Sequence, residues 1–196
     1  MFRRKRSSHA ALAERADELG FDERRLAVQA QVDPGRVRDA LRSDIDLEAV
    51  LSVSEVKRIL GVLGMDFMEL FRIPCAFCAG TDSPFAEFGS LPRNELVIRR
   101  REKLGLSREE VLTKLGVTDW FQKHSESAWA QNRMRLWQAV EERPDSLDDL
   151  TLDQVRLLNR VLLLPLQLLV GARCPKCGEP AGDERSDDDR ARCDAR

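Results

Sequence analysis

Two Cys-x-x-Cys pairs constrain this chain more than any other feature, because they recur at one fixed distance within two stretches that align. Cys75-Ala76-Phe77-Cys78 falls on Cys174-Pro175-Lys176-Cys177 at an offset of 99 residues. The same offset carries Leu51-Ser52-Val53-Ser54-Glu55-Val56-Lys57 onto Leu150-Thr151-Leu152-Asp153-Gln154-Val155-Arg156, and Leu70 onto Leu169, without a gap. An offset of 85 pairs Leu19-Gly20-Phe21-Asp22 with Leu104-Gly105-Leu106-Ser107, and Val32-Asp33 with Val117-Thr118. The second copy therefore carries fourteen extra residues in its middle, around Ala130 to Arg143. A chain of 196 residues with 42% hydrophobic content can bury a core in each of two small copies.

Cysteine chemistry follows from that duplication. A Cys-x-x-Cys turn points two sulfurs inward, and tetrahedral zinc needs two ligands more. Two such pairs at equivalent ends of a duplicated unit predict one shared site made of Cys75, Cys78, Cys174 and Cys177, with Gly178 letting the backbone turn toward sulfur. His9 and His124 are the two histidines, and neither sits at ligand spacing from a cysteine pair. Ordinary free thiols are the bland alternative. A thioredoxin-like redox pair lacks its βαβ surroundings, and an iron–sulfur cluster on the same four ligands stays open beside zinc. Cys193 stands apart in a polar tail and is expected to be a free thiol.

The apolar spacing is helical throughout, which makes the expected fold all-α. Leu12, Ala16 and Leu19 share one face, Gly20 can stop that helix, and Asp22 can cap a second running to about Ala30. Asp33-Pro34 opens a third. Ser54 is expected to start a fourth through Val56, Ile59, Leu60 and Leu63, and Asp66 to cap a short fifth through Phe71. In the second copy Ser107, Thr118 and Asp153 take the corresponding starts, and Asp148 and Asp149 look like helix-start caps.

The pattern Leu104-Gly105-Leu106-Ser107-Arg108-Glu109-Glu110-Val111 followed by Leu115-Gly116-Val117-Thr118 resembles the XRE class of helix-turn-helix domains, the fold of phage Cro and repressor proteins. Leu19-Gly20-Phe21-Asp22, Leu26-Ala27, Ala30, Val32-Asp33 and Val37 fall in the same places of the first copy. The resemblance implies two tandem helix-turn-helix repeats, 9–78 and 94–178, each ending in Cys-x-x-Cys. A basic arm at 1–8, a linker at 79–93 and a disordered acidic tail at 179–196 complete the organisation. It further implies that the third helix of each copy meets double-stranded DNA, with the two copies acting as an intramolecular pseudo-dimer. On that reading Arg36, Arg38 and Arg42 reach base edges or phosphates, the arm Arg3-Arg4-Lys5-Arg6 tracks phosphate or a minor groove, and Gln122 and Lys123 serve the second copy. Asp119 and His124 are weaker candidates there, and Arg99, Arg100 and Arg101 are expected to approach the backbone.

Charge supports this division. The net charge is −2, yet residues 1–42 and 93–143 are each +3 while 44–92 and 179–196 are −5 and −3. The most apolar stretch, Val161 to Val170, is too short to span a membrane and contains Pro165, and no secretory signal is visible, so a cytoplasmic, nucleoid-associated protein is expected. Enzymatic function has little support, since no nucleophile–base pair, phosphate-binding glycine loop or paired carboxylate site stands out. The competing reading is a protein-interaction adaptor in which the divergent second copy binds a protein partner, and pairing of two chains into a homodimer stays open. Trp120, Trp129 and Trp137 are expected in the core or at an interface.

Overall fold

The computed structural model describes residues 7–42, 46–78, 85, 91–116 and 128–178, without the side chains of 128–130, 132 and 133. Among these residues the protein is all-helical, and its one extended contact is an isolated antiparallel bridge between Ser52 and Thr151. No helix there is long and apolar enough to cross a membrane. The chain divides into two compact units, Met1–Ile73 with Thr151–Gln154, and Pro74–Leu150 with Val155–Arg196.

In the first unit α1 spans Ser8–Glu18 and buries Leu12 and Ala16. Leu19, expected on that buried face, is its C-cap and is 41% exposed, because the chain turns away at Gly20, whose φ of +69° suits glycine. Helix α2, Glu23–Ala30, starts where the Asp22 carboxylate accepts the Arg25 amide at 2.7 Å. Helix α3, Pro34–Leu41, starts where Asp33 accepts the amides of Gly35 and Arg36 and proline fills the first helical position. Only Gln31, Val32 and Asp33 separate the two, with Gln31 left-handed at φ 54°. After α4, Leu47–Val50, comes α5, Val53–Leu63. Its cap is Ser52 rather than the expected Ser54, because Glu55 lies three residues on and closes a reciprocal capping box. Helix α6, Phe67–Phe71, is capped by Asp66 as its sequence indicates. Leu12, Leu26, Val37, Leu47, Ile59 and Leu63 are fully or almost fully removed from solvent, each large side chain contributing about 1.5–3 kcal/mol to the shared core.

The second unit is helical as well among the described residues. Helix α7 is Arg93–Lys103, α8 is Arg108–Lys114 and α9 is Ala128–Ala139. A 3-10 turn at Ser146–Asp149 precedes α10, Leu152–Leu162, which belongs to this unit from Val155 onward, and then α11, Leu166–Val170. Ser107 caps α8 with Glu110 in a capping box. Thr151, not Asp153, sits at the start of α10, exchanging hydrogen bonds with Gln154 in the same manner as Ser52 and Glu55. Asp148 and Asp149 are not caps: they accept Arg93 and Arg143. Thr118, Trp120 and the other residues of 117–127 lie outside the described residues, as does the side chain of Trp129; Trp137 is buried as expected.

Both sequence offsets reappear in the backbone. Helix α7 has the length of α1 displaced by 85 positions, and α10 and α11 have the bounds of α5 and α6 displaced by 99. Left-handed residues recur at the same displacements, Gly20 with Gly105, Gln31 with Gly116, Gly64 with Leu163 and Arg72 with Gly171. A long-range hydrogen bond recurs too. Arg15 Nε donates to the Leu63 carbonyl at 3.1 Å, and Arg100 Nε donates to the Leu162 carbonyl at 2.9 Å. Helix α9 falls in the stretch where the displacement changes.

Candidate metal centre

Each cysteine pair follows a short helix that ends on a left-handed residue. After α6 the chain turns at Arg72 and runs through Ile73 and Pro74 to Cys75; after α11 it turns at Gly171 and runs through Ala172 and Arg173 to Cys174. All four cysteines belong to the second unit. Their sulfurs lie within 4.8 Å of one another, with Cys75 Sγ 3.7 Å from Cys177 Sγ and Cys78 Sγ 3.5 Å from Cys174 Sγ. Four sulfurs about 2.3 Å from a central ion in a tetrahedron stand about 3.8 Å apart, so this cluster has the size that a thiolate-bound metal requires. The four could hold a metal ion such as zinc. With every corner a sulfur, such a site is closed to water and substrate, which is the chemistry of a structural centre.

Backbone groups already point at the sulfurs. The amides of Phe77 and Cys78 both donate to Cys75 Sγ at 3.3 Å, and the Lys176 amide donates to Cys174 Sγ at 3.4 Å. Gly178, at φ +69°, donates its amide to the Cys174 carbonyl at 2.8 Å and closes the second knuckle. Cys174 is buried, and that burial opposes ionisation. The amides of Cys177 and Lys176, with the Cys78 and Cys75 thiols, outweigh it and bring its pKa down to about 7. Cys78 is pushed the other way, first by its hydrogen bond with Cys75 and then by that with Cys174. A cluster of four thiols cannot ionise together without a cation, and a bound divalent ion supplies that charge.

One residue of this centre escapes the sequence reading. Gln167 on α11 is fully buried, accepts the Ala76 amide on Oε1 at 2.8 Å and donates from Nε2 to the Ala172 carbonyl at 3.3 Å. The available signal was a lone amide inside the apolar run Val161 to Val170, since a buried polar side chain needs hydrogen-bond partners.

The basic residues are placed less uniformly than their charge suggests. Arg36 is braced inside the first unit, 2.7 Å from Glu55 Oε2 and donating to the Val50 carbonyl at 2.6 Å. Arg38 and Arg42 are exposed, and Arg38 makes only a 3.9 Å approach to Glu23 among its ion pairs with described residues. On α7, Arg99 pairs loosely with Glu95, Arg100 donates to Leu162, and Arg101 makes two hydrogen bonds to Glu141. Arg93 grips Asp148 with both nitrogens, and Arg108 bonds the Gln138 carbonyl and Glu142. Arg3, Arg4, Lys5, Arg6, Asp119, Gln122, Lys123 and His124 lie outside the described residues, as do Cys193 and the rest of 179–196. No family model matches the chain, and comparison with curated proteins and with solved structures finds no match.

Proposed function

We propose that the chain is a sequence-specific DNA-binding regulator built on helix-turn-helix repeats, with a structural zinc held by Cys75, Cys78, Cys174 and Cys177. The observation that carries this reading is the pair α2 and α3, joined by three residues, with Arg38 and Arg42 exposed on α3 and its cap. A short turn of that kind between two helices is the geometry by which the second helix enters a major groove. Arg38 and Arg42 then meet base edges or phosphate, while Arg36 fixes α3 against Glu55 at the start of α5. Zinc binds the segment after the first repeat to the segment after the second and contributes to folding.

Selection from random duplexes tests the reading directly. An enriched motif is expected, bound with an affinity that falls steeply with salt. Arg38→Ala with Arg42→Ala should weaken binding at least roughly tenfold and lower the salt slope by about 2. No enriched motif, or salt-insensitive binding, sinks it.

The internal ion pairs of the second unit favour an addition to this reading. Glu141 and Glu142, just after α9, neutralise Arg101 and Arg108, and Asp148 neutralises Arg93. Those arginines are engaged within the second unit, whereas Arg38 on α3 makes only a loose ion pair, so among the described residues the second repeat is the better candidate for a protein partner. Footprinting separates the cases: protection of one half-site agrees with a single reading helix, and protection of two with a full pseudo-dimer.

A further inference from the structure

Gln167 and Ala76 form an arrangement that the duplication makes informative. The residue displaced from Gln167 by 99 positions in the first copy is Met68, and the residue displaced from Ala76 in the second copy is Pro175. Where the knuckle has an amide N–H at its second position, a buried glutamine accepts it. Where that position is proline and has no N–H, the corresponding helix carries methionine, which cannot accept in the same way. Donor and acceptor are thus present together in one combination and absent together in the other.

The location of this amide matters as much as its chemistry. Gln167 is 0% exposed, and its two hydrogen bonds run to the two chain segments that bear the ligands. Oε1 holds Ala76, between Cys75 and Cys78, and Nε2 holds Ala172, two residues before Cys174. Neither bond touches a sulfur. Both restrict the backbone from which sulfurs project, and the amide's own buried polar atoms are satisfied only while both segments stay in place.

We infer that Gln167 is the positioning residue of the four-cysteine centre, holding both knuckles in ligating geometry before the metal arrives. The inference rests on the reading that the four cysteines bind a metal. Outer-shell groups of this kind typically change metal affinity by about 10–100-fold. Gln167→Met keeps nearly the same volume and installs the residue of the other copy, removing both hydrogen bonds without opening a cavity. Ala76→Pro removes the matching donor and gives the first knuckle the proline of the second.

The test is a double-mutant cycle on the full chain, read by zinc competition against a chromophoric chelator and by the absorption of the cobalt(II)-substituted protein. Gln167→Met should bind zinc about 10–100-fold more weakly, with the d–d bands of tetrahedral cobalt shifted or broadened while helical circular dichroism is unchanged. The double variant should be weaker than Gln167→Met by much less than the effect of Ala76→Pro alone, because the two substitutions break one shared bond. Strictly additive effects, or wild-type zinc affinity in Gln167→Met, overturn the positioning role. If Gln167→Met does not fold, Ala76→Pro decides alone: unchanged affinity and an unchanged cobalt spectrum overturn it. Failure of the wild-type chain to bind zinc or cobalt refutes the metal site itself, a different result.

Discussion

Arg99 and Arg101 stand two residues apart on one helix, and their surroundings give the same charge opposite consequences. The Arg99 side chain is 61% exposed beside Glu95, whereas those of Arg101 and Glu141 are 15% and 14% exposed and joined by two hydrogen bonds. Hydrogen bonding to Glu141 raises the Arg101 pKa further, so its charge is fixed at any ordinary pH. Arg101→Met leaves Glu141 largely desolvated without its guanidinium. Urea unfolding should show a loss of about 2–4 kcal/mol, most of it recovered in Arg101→Met with Glu141→Leu. Arg99→Ala should change stability by less than about 0.5 kcal/mol. Equal losses for the two single variants would contradict the role assigned to burial.

At the scale of the element, the capping box of α8 makes a pH prediction. The Ser107 amide, and then its hydroxyl, lower the Glu110 pKa from its ordinary 4.5. A depressed carboxylate stabilises the fold fully above its unfolded value, and that contribution fades as pH falls through the lower folded value. The difference in unfolding midpoint between wild type and Glu110→Ala should therefore stay constant from neutral pH to about 4.5 and close below it. A difference that widens in acid would reverse the sign. Helix starts of this kind were legible where the cap side chain stands directly before its helix, as at Asp22, Asp33, Asp66 and Ser107. The starts of α5 and α10 lie two residues before Ser54 and Asp153, which also suit a first turn, because Ser52 and Thr151 make the reciprocal bonds with Glu55 and Gln154. The long-range ion pairs were not legible. Arg101 and Glu141 are 40 residues apart and Arg93 and Asp148 are 55 apart, distances at which only tertiary packing chooses a partner. The cysteines were legible at greater separation because their common offset supplied the link that spacing alone could not.

For the whole molecule, a metal held by the four cysteines would cross-link distant parts of one chain. Cys78 and Cys174 are 96 residues apart, and a link closing a loop of that length is worth about 4–5 kcal/mol in chain entropy. Chelation should lower the thermal midpoint by several degrees or more, reversibly on adding zinc, and calorimetry with and without a strong chelator measures it. An unchanged midpoint would mean that the cluster holds no metal that matters to the fold. Left-handed residues at matching displacements have a consequence of another kind: the chain carries its own alignment. Gly64 and Leu163 occupy one conformation in two settings, and Leu163, at φ 52° and 60% exposed, bears a steric penalty that glycine avoids while burying little in return. Leu163→Gly is expected to raise stability by roughly 0.5–1 kcal/mol in denaturant titration, after allowing for the freer unfolded chain, and a loss would show the leucine held by packing. Each half of the molecule can thus serve as a donor of tested residues for the other, a route to stabilised hybrids that needs no sequence but this one.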